Sequence, residues 1–373
     1  MMKVTVIGGG NIGMCLVGEI SRIKGYDVTL YTSTPEVFDK QIKVVDDERG
    51  ITYLSGSFLV TDDLEIAVRD ADMILCTVPA FMRKSIIEKM ENVIKESAFL
   101  GFFPGYGGAE YYCDKLLKRG ITIFAVQKVP YVARTKEKGK IAGLMSKKPS
   151  LFIAAMPKQQ TDVISRIVED MLLIKCHVLN NYMEATLLPG NPLLHTSGSY
   201  VFLKNYKEGD IFSSPIYYYQ SWDDECSRVI CDFSDELHAI CKKIPIDLSG
   251  VKTIQEYYEA DTPEKLTAKF HTIPSFKPLL LPMKEVSNGY IPDFSSRFYI
   301  EDIPYGVCII KALALLVKIK TPTIDTILNW YTKMTGKVYF EKDDSFGKDI
   351  RETAIPQLFG ITSVEDLKQF YIQ

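Results

Sequence analysis

Residues 4–13 read VTVIGGGNIG. A β-branched apolar run ends at Ile7, the pattern Gly8-x-Gly10-x-x-Gly13 follows, and Met14, Leu16, Val17 and Ile20 then recur at helical spacing. Strand, glycine turn and helix in that order is the signature of a dinucleotide-binding βαβ unit. Gly8 permits the tight turn, Gly10 lets a pyrophosphate approach the backbone, and Gly13 lets helix and strand pack closely. Asn11 and Ile12 open the helix whose N-terminus would face the phosphates. A glycine-rich structural turn is the competing explanation of the three glycines; their placement between a strand and a helix favours the cofactor.

The second strand is expected over Asp27–Tyr31. A cofactor-selecting carboxylate would stand at its end, about 20 residues past the glycines, to take the ribose hydroxyls of NAD. Thr32, Ser33 and Thr34 stand there instead. Their hydroxyls, with Lys40 nearby, suit the 2'-phosphate of NADP, so NADPH is expected over NADH. In the competing reading these residues form a hydroxyl-rich loop before Pro35, and NAD binds through backbone and water.

Further strand-helix-strand alternation comes next. Ala71–Pro79 reads as a buried strand ending in proline, a helix is expected over about 83–95, and a strand leads into FFPGYGG at 102–108. Val78, Pro79 and the 104–108 loop should lie at the carboxyl ends of a parallel sheet, where such folds bind ligands. A strand at Ile121–Val126, the segment VPYVAR (129–134), a basic turn TKEKGK, and strands at Leu151–Ala155 and Cys176–Leu179 flanking a helix over 160–173 complete this lobe. Arg134 reads equally as an anion contact or an exposed structural arginine. The expected division is a Rossmann domain over 1–180, doubly wound around a parallel sheet, and an α-helical domain over 181–373. The helical expectation rests on the apolar spacing in 223–243, 263–270, 307–319 and 323–335.

Composition bounds the function. The 373 residues suit two domains with a cleft. The net charge of -3 lacks the basic excess that a nucleic-acid or anionic-membrane surface requires. The 8 cysteines show no metal-ligand or disulfide spacing. The longest apolar run, 307–319, is broken by Lys311 and Lys318 and is short of the roughly 20 residues of a bilayer span. A cytoplasmic protein with small polar partners, no metal, no nucleic acid and no membrane is expected; a homodimer is compatible.

The second lobe carries the candidate chemistry. NPLLHTSG (191–198) contains His195, one of 4 histidines, placed about one turn into a helix that Asn191 would cap and Pro192 would begin. A histidine here reads as a proton-transfer group or as a hydrogen-bonded core residue. SSRFYIEDIPYG (295–306) supplies Arg297, Glu301 and Asp302. Asp302 is either the carboxylate that orients His195 or a complement to the following helix's dipole, and Arg297 could simply pair with Glu301.

Taken in order, the N-terminal GxGxxG, VPYVAR, NPLLHTSG, SRFYIEDIPYG and TPTID (321–325) resemble the octopine/nopaline (opine) dehydrogenase family over nearly the whole chain. The resemblance implies a Rossmann domain joined to a helical domain, with a catalytic histidine-aspartate pair at His195 and Asp302. It also implies that Arg297 lies near a substrate carboxylate; Asn191, in the turn before His195, is a second substrate-binding candidate. The expected activity is NAD(P)H-dependent reductive condensation of an amino acid with a 2-oxo acid such as pyruvate. The alternatives are a 2-oxo acid reductase of the ketopantoate-reductase type and a catalytically silent cofactor-binding sensor.

Overall fold

The structure, a computed structural model, describes residues 1–187 and 190–372. The chain forms two compact units, 1–186 with 369–373, and 187–368.

The first unit is built on an eight-stranded sheet. Its strands are β1 (Met2–Ile7), β2 (Tyr26–Tyr31), β5 (Leu59–Thr61), β6 (Met73–Cys76), β7 (Phe99–Phe102), β8 (Thr122–Val126), β11 (Ser150–Met156) and β12 (Lys175–Val178). They lie in the order β12-β11-β8-β7-β6-β1-β2-β5. Val6 on β1 aligns with Leu30 on one side and Leu75 on the other, both parallel. The central strands β1, β6, β7 and β8 are buried on both faces for most of their length, and so they read as apolar runs rather than as alternations. One pairing departs from the all-parallel expectation, because β11 runs antiparallel to β8. The chain leaves β8 through a hairpin, β9 (Tyr131–Glu137) and β10 (Ile141–Lys147), which returns it to the same sheet end without a crossover helix. VPYVAR and TKEKGK are therefore a strand and its turn. The hairpin joins β3 (Lys43–Asp46) and β4 (Ile51–Leu54) in a second sheet of order β4-β3-β10-β9 that the sequence pattern did not disclose.

The division between the units falls after Thr186. The short helix Tyr182–Thr186 is fixed to the first unit: Gln127 donates to the Glu184 carbonyl at 2.9 Å, and the Thr186 hydroxyl donates to Glu110 at 3.0 Å. The last turn of the chain also returns there, since the Tyr371 hydroxyl donates to Glu110 at 2.8 Å.

The second unit is helical, with its main helices at Asn191–Leu203, Asp224–Lys243, Pro263–Thr272, Cys308–Val317 and Pro322–Thr335. The last four cover the segments whose apolar spacing predicted helices, whereas Asn191–Leu203 is buried on nearly all sides. A hairpin of β13 (Met283–Val286) and β14 (Gly289–Pro292) is added to the expected all-helical composition. Among the described residues no helix is long and apolar enough to cross a membrane.

Candidate active site

The glycine turn has the geometry that its spacing requires. Gly8 sits at φ +112°, in the region that favours glycine, and its N–H donates to Tyr31 O at 2.9 Å. A Cβ at Gly13 would lie 1.8 Å from Gly8 O, so helix and turn are in backbone contact. At Gly10, which caps the helix Asn11–Ile20, an added Cβ would meet nothing within 4 Å. The backbone there is open to close approach, and no acidic residue lies in the first turn to oppose an anion at the positive helix end. The residues present thus fit a dinucleotide pyrophosphate. Ile12 lies in that first turn, and the Asn11 side chain is already engaged, its Oδ1 accepting from Thr135 N at 2.8 Å on β9.

Thr32, Ser33 and Thr34 follow β2. Thr32 is buried, Ser33 is exposed, and the Thr34 hydroxyl is buried with no hydrogen-bond partner among the described residues. Lys40 and Arg134 are exposed. Val78 reaches the glycine turn, its Cγ1 lying 3.1 Å from where a Cβ on Gly8 would stand, and Pro79 caps the helix Ala80–Met90.

Arg83, which no motif or spacing singled out, is 1 % exposed. Its guanidinium donates to Tyr106 O at 2.6 Å, Pro104 O at 2.9 Å and Val78 O at 3.4 Å. A rigid fork of donors thereby ties together the loops that follow β6 and β7 at the sheet's carboxyl end.

In the second unit His195 and Asp302, 107 positions apart, meet at 2.7 Å between Nδ1 and Oδ2. Their side chains are 12 % and 3 % exposed. The carboxylate accepts the Nδ1 proton, and that fixes the tautomer in which Nε2 carries the lone pair. Burial pushes the Asp302 carboxyl above its usual range. The His195 hydrogen bond opposes that rise, while the charges of Glu301 and Arg297 act against each other. Phe298 stacks on the imidazole, with centroids 3.6 Å apart and planes at 6°, which sets the ring plane. The Tyr218 hydroxyl lies 2.7 Å from His195 O and 2.9 Å from Leu194 O, holding the backbone of that turn.

Asn191 does not cap its helix. Gly190 occupies the cap position without a side-chain bond, Asn191 is the first helical residue, and its side chain is exposed. An extended Gly190 supplies the entry geometry, so no side-chain cap is formed. Arg297 Nε donates to Glu301 Oε2 at 2.5 Å. The arginine side chain is 61 % exposed and the glutamate 3 %, so a buried acid steadies an outward-facing guanidinium.

The contributions of Phe298, Tyr218, Gly198 and Gly306 were not legible in the sequence. A Cβ on Gly198 would come 2.4 Å from the Tyr218 hydroxyl, and one on Gly306 would come 2.4 Å from Pro192 Cγ. Both glycines lie inside the quoted motifs, but spacing alone cannot say what packs against them.

Residues 178–335 match the alpha-helical domain of NAD/NADP octopine/nopaline dehydrogenase, and residues 3–101 match the N-terminus of NAD-dependent glycerol-3-phosphate dehydrogenase. An opine dehydrogenase of Haliotis discus hannai is 31% identical over 330 residues, covering 83% of this chain and 80% of its own. A tauropine dehydrogenase of Arabella iricolor is 27% identical over 98% of this chain and 100% of its own. Octopine dehydrogenase solved with NADH and L-arginine shares the fold, with a TM-score of 0.88 at 24% identity over 98% of both chains. The same enzyme solved with NADH and pyruvate gives 0.87 at 24% identity over 99% of this chain and 98% of that one. The chain therefore belongs to the opine dehydrogenase family, NAD(P)-dependent oxidoreductases that act on CH–NH groups.

Proposed function

We propose that this protein condenses the amine of an amino acid with a 2-oxo acid and reduces the resulting imine to a secondary amine. The observation that carries this reading is the 2.7 Å contact of His195 with a buried Asp302. The condensation needs one group to work in both directions. An ammonium must lose a proton before its nitrogen can attack the carbonyl, and the carbinolamine hydroxyl must gain one to leave as water. An imidazole whose Nδ1 is held by a carboxylate can take the first proton at Nε2 and return it in the second step. NAD(P)H, when bound, supplies hydride to the imine carbon. Arg297, steadied by Glu301, suits a substrate carboxylate through the donors of its planar fork, and the exposed Asn191, four residues before His195, is the second proposed substrate contact.

NADPH is the proposed cofactor in preference to NADH. The exposed Ser33 supports this, standing where a selecting carboxylate would otherwise be.

The test is a matrix of amino acids against pyruvate and other 2-oxo acids, read by NAD(P)H oxidation and by mass detection of the product. Oxidation that requires both substrates, with a product mass equal to amine plus oxo acid minus water plus two hydrogens, is expected. Oxidation with a 2-oxo acid alone, yielding the hydroxy acid, would overturn the proposal.

A further inference from the structure

The rings of His195 and Phe298 come from two segments of the second unit, the helix Asn191–Leu203 and the short helix Arg297–Ile300. Their centroids are 3.6 Å apart and their planes meet at 6°. Carbon atoms in contact stand about 3.5–4.0 Å apart, so this separation leaves almost no sideways offset and one ring lies squarely over the other. Neutral aromatic rings avoid that sandwich, because their faces carry the same partial charge; they prefer an offset or an edge. Tyr218 shows the preference beside the same pair. It meets Phe298 at 5.6 Å and 89°, and His195 at 6.3 Å and 89°.

Protonation of the imidazole reverses the sign. A cation over the negative face of a phenyl, within about 6 Å of its centroid, is attracted by the ring quadrupole. The stack is therefore poor for His195 before it takes a proton and good afterwards. Asp302 serves the same charge from another direction, in the plane of the imidazole, through Nδ1 at 2.7 Å. The carboxylate and the π face act on different parts of the ring, so neither replaces the other.

The other titratable groups of this neighbourhood do not take that part. Burial pushes the Tyr218 phenol well above its ordinary range, and it raises Tyr219, Tyr299 and Cys226 around it in the same way, so these groups stay neutral. Arg297 and Glu301, on the turn that carries Phe298, pair with each other at 2.5 Å.

We propose that Phe298 is a positioning residue that acts through His195, its π face stabilising the imidazolium formed when the substrate amine gives up its proton. This rests on the condensation reading. The proton leaves the ammonium nitrogen for Nε2 and returns to the carbinolamine hydroxyl, and no bond to Phe298 is made or broken. Phe298 is half-buried and the His195 side chain is 12 % exposed, which places the interaction between the exposed and the desolvated cases. Its removal should cost roughly three- to thirtyfold in kcat.

The test replaces Phe298 in the full chain with 4-fluoro-, 3,5-difluoro- and 3,4,5-trifluorophenylalanine. Each fluorine withdraws charge from the ring face and adds little bulk, so packing is kept while the quadrupole is graded. Two quantities are read. One is kcat; the other is the protonation midpoint of His195, followed by NMR of its ring proton, which His195→Ala assigns among the 4 histidines. Both should fall stepwise with fluorine number, with the thermal melt and the KM for NAD(P)H unchanged. Phe298→Tyr, which keeps the face, should keep most of kcat, and Phe298→Leu, which keeps only apolar bulk, should show the full loss. If Phe298→Leu folds poorly, the fluorine series decides.

A midpoint indifferent to fluorination would overturn the proposal, as would a kcat indifferent to it. Because the midpoint is read without turnover, the two readings fail separately. A graded midpoint in a chain that condenses no amine with any 2-oxo acid would sink the condensation, and condensation that ignores the fluorine series would sink the role of Phe298 alone.

Discussion

Replacing Asp302 with asparagine preserves the size of a side chain that is 3 % exposed and removes only its charge. When His195 takes the ammonium proton it becomes an imidazolium, and the charge centres of the resulting pair lie about 4 Å apart, a separation worth about 4 kcal/mol at an effective dielectric constant of about 20. Since about 1.4 kcal/mol is tenfold in rate, the variant should lose about a thousandfold in kcat. The amide can also turn its NH2 toward Nδ1 and trap the tautomer whose Nε2 is already protonated, which acts in the same direction. Global unfolding is not the expected cause. Burial raises the Asp302 carboxyl in the folded chain, so its share of stability falls as pH rises from the ordinary carboxylate value through the raised one; an amide escapes that loss. The assay is steady-state NAD(P)H oxidation at saturating substrates beside a thermal melt, for Asp302→Asn, His195→Ala and the double variant. His195→Ala alone should cost roughly 10²- to 10⁴-fold, and the double variant little more than the worse single. A loss under about tenfold for Asp302→Asn, or a double loss equal to the product of the single losses, would refute direct coupling.

Gly306→Ala brings a methyl to 2.4 Å from Pro192 Cγ, so the turn carrying Asp302 must back away from the His195 helix. Overpacking of this kind costs about 1–3 kcal/mol, and kcat should fall with NAD(P)H affinity unchanged; full activity would show that the contact yields. Gly10→Val should melt like the unaltered chain, because nothing lies within 4 Å of the new Cβ, yet lose calorimetric cofactor binding. Retained affinity would refute the pyrophosphate assignment. Steady-state kinetics should give a higher kcat/KM with NADPH than with NADH, and the reverse order would mean that the hydroxyls of Thr32–Thr34 do not meet a 2'-phosphate.

Much of the first unit was legible because its signals are local. Gly8, Gly10 and Gly13 each answer a backbone requirement that spacing reveals, and the central strands β6, β7 and β8 are buried apolar runs. The hairpin β9–β10 and its partners β3 and β4 were missed because charged and small residues interrupt them, so no clean apolar alternation marks them even though Val44, Tyr131, Ala142 and Leu144 are buried. The antiparallel entry of β11 depends on how the chain returns from that hairpin, which no periodicity encodes. In the second unit the identities of His195 and Asp302 came from motifs, while Phe298, Tyr218 and the buried Glu301 became visible only through packing. Asn191 shows the opposite error. A good capping residue stands at the expected place, but Gly190 already supplies the extended entry and leaves the asparagine outside.

The meeting of His195 with Asp302 depends on a pair of contacts one helical turn apart. Pro304 has no N–H to offer the carbonyl four residues before it, and the chain responds by widening. Asp302 N reaches back to Arg297 O at 3.3 Å and Val307 N to Asp302 O at 2.9 Å, each spanning five residues, through the π-helical segment Ile303–Val307. One extra residue in a turn rotates the downstream residues by about 100°, so the segment from Asp302 onward presents a different face than a continuous α-helix would. On that face Gly306 lies against Pro192, and Asp302 lies against His195. Pro192 and His195 are themselves neighbours at i and i+3, so the two contacts form adjacent rungs between the segments. The rung at Gly306 demands a residue without a side chain, and the rung at Asp302 carries the charge. Thr196 steadies the same turn by donating to Pro192 O at 2.6 Å. The proline that widens the turn and the glycine that lets it close are thus as necessary to the dyad as the two residues that titrate. A substitution at Pro304 that restored regular α-helical pitch would be expected to abolish the His195–Asp302 contact without altering either residue.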